Sequence, residues 1–140
     1  MPPAHPFWRW IEQLAARGVI SGYACGGPGE PCDPLTRPYF RAGNALTRSQ
    51  VAKIVSQTTA WADAIPATQA TFADVPPNHP FWLYIERTVT HGVISGYACG
   101  GLSEPCDPQM QPYYRPGANV TRGQTAKIVA NTFFSDCQVP

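Results

Sequence analysis

The chain states nearly the same text twice. His5-Pro6-Phe7-Trp8 returns as His79-Pro80-Phe81-Trp82, and Gly18 to Gly27 return unchanged as Gly92 to Gly101. Thr47-Arg48-x-Gln50 returns as Thr121-Arg122-x-Gln124. The offset is 74 positions without a gap, and 33 of the 54 positions from His5 to Thr58 are identical. A duplicated unit points to a structural or binding array, because an enzyme rarely needs its catalytic residues twice in one chain. No set of nucleophile, base and orienting group is visible, and the chain reads as non-catalytic.

Each copy reads as helix, long loop, helix. Phe7, Trp8, Ile11, Leu14 and Ala15 recur at helical spacing, as do Phe81, Trp82, Ile85 and Val89. Pro6 suits a first helical turn, and Gly18 and Gly92 suit a left-handed stop. Val19-Ile20 and Val93-Ile94 are expected to pin the loop start into the core. The second helix opens at Thr47 or Thr121, where Thr-x-x-Gln is a capping-box pattern. Its apolar face is expected at Val51, Ile54, Val55 and Thr58 in one copy, and at Ala126, Ile128, Val129 and Phe133 in the other. Such short helices depend on packing rather than propensity. The predicted fold is mainly α, a pseudo-symmetric tandem of helix-loop-helix repeats. Its expected units are 1–62 and 63–133, with 134–140 as a tail or the opening of a third unit. Pro2-Pro3 aligns with Pro76-Pro77, so the first copy lacks its opening Phe-x-Asp, and Phe134-Ser135-Asp136 resembles Phe72-Ala73-Asp74.

Five cysteines are present, four of them as the repeated pairs Cys25 with Cys32 and Cys99 with Cys106, leaving Cys137 over. A pair within one short Gly/Pro-rich loop is expected to close a disulfide in an oxidising, extracytoplasmic setting. The chain-entropy model gives about 2.5 kcal/mol for such a loop. Free thiols and a metal site are the alternatives, although C-x6-C is not a usual zinc spacing. No metal and no cofactor is expected. The formal charge of +1 comes without a basic stripe, which argues against nucleic acid as partner. No apolar run approaches the roughly 20 residues of a membrane span, so membrane insertion is not expected. MPPAHPFW is not a secretory signal. Either export information has been removed or the chain is an excerpt of a longer protein.

The order Phe-x-Asp-Val-Pro, helix, Gly-Val-Ile-Ser-Gly-Tyr, Arg-Pro-Gly, then Val-Thr-Arg-x-Gln before an Ala-Lys-Ile helix resembles the S-layer homology domain. Phe72 to Thr132 carries the whole pattern, and His5 to Thr58 all but its opening. The resemblance implies an extracytoplasmic module that anchors proteins to secondary cell-wall polysaccharide, often pyruvylated. Three units of the family commonly form a pseudo-trimer with ligand grooves between them. It also implies that Arg48 and Arg122 meet the ligand's carboxylate. The sequence departs from the family at Gln50 and Gln124, where Glu is usual. It departs again in the cysteine-closed Gly-Tyr-Ala-Cys-Gly-Gly loop, which lacks the family's Asp; Asp33 and Asp107 lie further on.

Physically, Arg48 and Arg122 sit in the first turn of a helix, where the dipole disfavours a cation by a few tenths to about 1 kcal/mol. Each therefore calls for a partner. An anionic ligand accepting from both the Arg and the free helix N–H groups is one. An internal carboxylate, Asp74, Glu30 or Glu104, is the other. Thr47 and Thr121, next to these arginines at the helix starts, are expected to bind the ligand with them. Tyr39 and Tyr113, off the helices, are candidates for stacking on sugar rings, whereas Trp8 and Trp82 lie on the apolar stripe and are expected in the core. Glu12 and Glu86 are expected in structural ion pairs. Asn119-Val120-Thr121 fits a glycosylation acceptor, but its Thr is better explained as the helix cap.

Two functions fit. One is a module binding cell-surface glycan to anchor an extracytoplasmic protein at the cell surface or wall, two weak sites gaining from effective concentration. The other is a self-assembling subunit of a surface layer, sheath or filament, built head to tail with other copies of itself. An array with exposed ends can propagate through a contact that does not close.

Overall fold

The structure, a computed structural model, describes residues 2–134. Serine 135 to proline 140, with Cys137 and most of the Phe-Ser-Asp segment, lie outside the described residues. Regular structure is helical: α1 (Trp8–Ala16), α2 (Arg48–Thr58), α3 (Trp82–Thr90) and α4 (Arg122–Phe133). The chain forms two compact units, Met1–Asn44 and Ala45–Pro140. Thus α2, which closes the first copy in sequence, belongs in space with the second.

Most local signals read from the sequence act as expected; Pro6 does not enter the first helical turn, because it lies in a turn before α1, which starts at Trp8 behind Phe7. Behind α1 the amide of Gly18 donates to Ala15 and that of Val19 to Leu14; behind α3, Gly92 donates to Val89 and Val93 to Thr88. This double bond turns the chain through a residue of positive φ, +69° at Gly18 and +67° at Gly92, where glycine carries no steric penalty. Val19, Val93 and Ile94 are buried, as an anchor should be, and Ile20 is half-buried. Both capping boxes form. The Thr47 hydroxyl accepts from Gln50 N and Gln50 Oε1 accepts from Thr47 N; Thr121 and Gln124 do the same. Both cysteine pairs are closed as disulfides, each with 5.0 Å between Cα atoms.

The stapled loops share one design. In the first unit Tyr23 and Tyr39 pair as an antiparallel bridge, and the Tyr39 hydroxyl donates to Pro31 O at 3.0 Å. Arg41 makes a two-pronged bond to Glu30 at 2.8 Å and stacks over Tyr23, 4.1 Å from the ring centre. In the second, Tyr97 pairs with Tyr113, the Tyr113 hydroxyl donates to Pro105 O, and Arg115 clamps Glu104 while lying 3.9 Å over Tyr97. Glu30 and Glu104 therefore serve Arg41 and Arg115, not the helix-start arginines.

The core lies in the second unit. Val51, Ala52 and Val55 of α2 join Phe72, Val75, Ile85, Val93, Ile94, Tyr114 and Ile128 in one buried cluster, with α2 packed on α3. The segment Gln69–Val75 forms a strap over it. Phe72 presses on Gly96 so closely that any Cβ there would overlap the ring. Glu86 is fully buried and accepts from Gln69 Nε2 (2.6 Å), Thr71 N (2.9 Å) and Thr71 Oγ1 (2.7 Å). The expected ion pair is thus replaced by three hydrogen bonds, because the strap brings amide and hydroxyl donors rather than a cation. Trp82 is half-buried rather than central, its indole N–H donating to Gln69 O. In the first unit α1 buries no residue: Trp8, Ile11 and Leu14 are half-buried, and Glu12 is exposed. No helix among the described residues is long and apolar enough to cross a membrane.

Candidate functional site

The most constrained cation of the chain is Arg48, 6% exposed. Its Nε donates to Tyr114 O at 2.7 Å and one terminal nitrogen to Ser95 O at 2.9 Å. The other lies 3.5 Å from the Tyr97 hydroxyl. The guanidinium sits between two rings, 4.7 Å from the centre of Tyr114 and 5.0 Å from that of Tyr97. The Tyr114 hydroxyl returns a bond to Arg48 O at 3.1 Å. Burial pushes the Tyr114 phenol well above its ordinary value, against the pull of Arg48 and with a further push from Asp74. It stays a neutral donor.

Backbone bonds fix the start of α2 against the loop before α4. Arg48 N donates to Ala118 O (2.8 Å), Ser49 N to Pro116 O (3.1 Å) and Val120 N to Leu46 O (3.0 Å). With Gln50 N held by Thr47, the first turn of α2 has given its leading N–H groups to protein acceptors. That leaves the leading N–H groups of this helix start unavailable to a ligand. Asp74 is engaged elsewhere, accepting from the amides of Tyr114 and Arg115 at 2.7 Å each.

Beside Arg48 opens a cleft of about 160 Å³, lined by Val93 to Tyr97, Gln124, Lys127 and Ile128. It carries two cations, Arg48 and the exposed Lys127, and no carboxylate. Gln124 Nε2 donates to the Tyr97 hydroxyl at 3.3 Å, so the capping residue of α4 also sets one wall. Neutral carbonyls satisfy the donors of Arg48 but do not neutralise its charge. A desolvated cation without a counter-ion favours an anion at its open edge. Among the described residues no group of three or more His, Cys, Asp or Glu is placed to hold a metal.

The sequence-derived candidates separate. Thr47, Arg48, Tyr113, Thr121 and Arg122 share the second unit, and Tyr39 lies in the first. Thr47 is bridged to Asn119, two residues before Thr121. Arg122 is exposed, does not line the cleft, and its side chain has no hydrogen bond or ion pair with a described residue. Tyr39 and Tyr113 spend their hydroxyls on the stapled loops. Sequence reasoning missed Lys127 and Ser95 as cleft walls, and weighed Tyr97 for sugar stacking but favoured a core place for it. Lys127 has a signal in hindsight: it lies five residues after Arg122 in the capped helix, and its repeat partner Lys53 lies the same distance after Arg48.

Residues 71–126 match the family model of the S-layer homology domain. The match runs from the strap through α3 and the second stapled loop into α4, and so contains every cleft wall except Arg48, Lys127 and Ile128. No curated protein matches the chain significantly. S-layer homology domains are non-catalytic modules that anchor surface proteins to the cell wall.

Proposed function

We propose that the chain is a non-catalytic anchoring module that holds an extracytoplasmic protein to an anionic cell-surface polysaccharide. We read it as two tandem S-layer homology units, 1–62 and 63–133, the first outside the matched stretch but carrying the same staple, cap and Arg–Glu–Tyr cluster. The observation that carries the reading is the cleft at Arg48: two cations, a tyrosine ring and no acid, at the edge of the matched domain. A sugar carboxylate or ketal acid supplies the charge the cleft lacks, and the Tyr97 ring and Gln124 offer contact to hydroxyl groups. Thr47 and Thr121 act by holding Arg48 and Arg122 at their helix starts. Arg122 and the faces of Tyr39 and Tyr113 extend the surface available to a polymer.

Cosedimentation with purified cell-wall polysaccharide tests this. Arg48→Ala is a poor probe, since Arg48 also ties α2 to the loops. The double variant Arg122→Ala with Lys127→Ala changes exposed side chains only and is expected to abolish sedimentation, while wild-type binding weakens with salt. Undiminished sedimentation of the double variant would sink the assignment.

A second reading, a self-assembling structural subunit, is favoured by one observation. In both α1 and α4 the apolar face lies largely uncovered: α1 buries no residue, and α4 buries Ile128 alone.

A further inference from the structure

We infer that the uncovered face of α1 seats α4 of a second copy of this chain, with Arg122 taking there the place that Arg48 holds in the second unit. The inference rests on the assembly reading and names its interface.

The template is inside the molecule. In the second unit, a helix opening with Thr-Arg-x-Gln lies on α3 and plants its Arg on the carbonyls of Ser95 and Tyr114. That contact buries Val51, Ala52 and Val55 of the helix, and Ile85 beneath it is fully buried. Seventy-four positions earlier, the counterparts of the seat are Ile11, Ser21 and Phe40, which line an open groove of about 470 Å³ with Trp8, Ile20 and Glu12. Ile85 and Tyr114, fully buried in one copy, correspond to Ile11 and Phe40, which are only half-buried in the other.

The matching occupant is α4. It repeats α2 position for position at its start, and its cap is already formed. Its Ala126 is exposed where Ala52 is fully buried, and Val129 is 42% exposed where Val55 is 7%. Phe133 and Phe134 follow, both more than half exposed. The amides of Arg122 and Gly123 have no acceptor among the described residues, whereas those of Arg48 and Ser49 donate to Ala118 and Pro116. Their counterparts in the first unit, Asn44 and Ala42, supply the same carbonyls. One bond is missing from the copy: Phe40 replaces Tyr114 and has no hydroxyl to return to the helix start. The seat is therefore expected to bind more weakly than α2 binds in its own unit. Because groove and helix are different surfaces of one chain, the contact is head to tail and propagates.

Light scattering coupled to size exclusion, over a concentration series of the 140-residue chain, tests the seat. Wild type is expected to grow from monomer to dimers and larger species as concentration rises. Arg122→Glu blocks the helix and Ile11→Glu blocks the groove, and each is expected to weaken association at least about tenfold. Mixed one to one, these two variants retain one intact helix and one intact groove between them and are expected to form a discrete dimer. Val129→Glu and Glu12→Arg, on exposed positions of the same two surfaces, serve where either first variant loses its near-UV circular dichroism. A wild type that stays monomeric overturns both the seat and the assembly reading. Assembly undiminished by the α4 variants overturns the seat and leaves assembly standing. A mixture that remains monomeric overturns the head-to-tail pairing. Polysaccharide binding lost on Ile11→Glu in a monomeric chain gives the groove to glycan instead and also overturns the seat.

Discussion

Glu86 and Glu12 occupy the same place in the repeat and follow the same Ile, but the first is sealed under the strap and the second faces solvent. The pair is an internal control. In Glu86→Ala, the amide and hydroxyl of Thr71 and the side-chain amide of Gln69 lose their acceptor. An orphaned buried donor costs about 1–3 kcal/mol. Gln69 and Thr71 are only half-buried and regain some water, so the low end applies, about 3 kcal/mol for the three together. Glu12 has no hydrogen bond or ion pair with a described residue, so Glu12→Ala is expected to stay within about 0.5 kcal/mol. Because the chain forms two units, a single global midpoint is a poor readout. Hydrogen exchange in increasing urea resolves the amides of Ile85 to Val89 from those of Ile11 to Ala15 and reports each unit by itself. The reasoning is refuted if Glu86→Ala costs less than about 1 kcal/mol in the second unit, or if Glu12→Ala costs as much in the first.

Gly96→Ala places a methyl into the Phe72 ring and 2.8 Å from Tyr113 O, and is expected to destabilise the second unit by about 1–3 kcal/mol of overpacking, read as a lower urea midpoint of that unit; an unchanged midpoint counts against the strap contact. Acid is expected to weaken the stapled loops. Hydrogen bonds from Arg41 and Arg115 hold Glu30 and Glu104 below their ordinary 4.5, and Arg37 and His91 hold Asp33 and Asp63 below 3.8. Carboxyls lowered by folding contribute stability that is complete above those ordinary values and lost as pH falls through the lowered ones. Loop protection in hydrogen exchange, corrected for intrinsic rates, should match at pH 5 and 7 and fall by pH 3; equal protection at pH 5 and 3 overturns the prediction.

Much of the fold was legible because it is local. The capping boxes join residues three positions apart, the glycine stops close bonds three and five positions apart, and the stapled cysteines are separated by 7 positions. Repeated text gave the same stapled loop and the same capped helix start each time it occurs. The site was less legible. The arginines were singled out, but not the partners of Arg48, since Tyr114 is 66 positions away and Ser95 is 47. Backbone carbonyls carry no sequence signature, and the acidic residues that looked like partners are taken by Arg41, Arg115 and the loop amides.

The sequence by itself determined what each copy contains: a glycine-stopped helix, a cysteine-stapled loop, and a capped helix led by an arginine. It could not determine which of two identical residues would be buried. Arg48 and Arg122, Glu86 and Glu12, Ala52 and Ala126 share their local context and part company in space. Burial depends on what packs from elsewhere, and here the strap and α2 cover α3, while α1 and α4 have no such cover among the described residues. Tertiary structure thus decided which arginine is held in the core and which stands exposed.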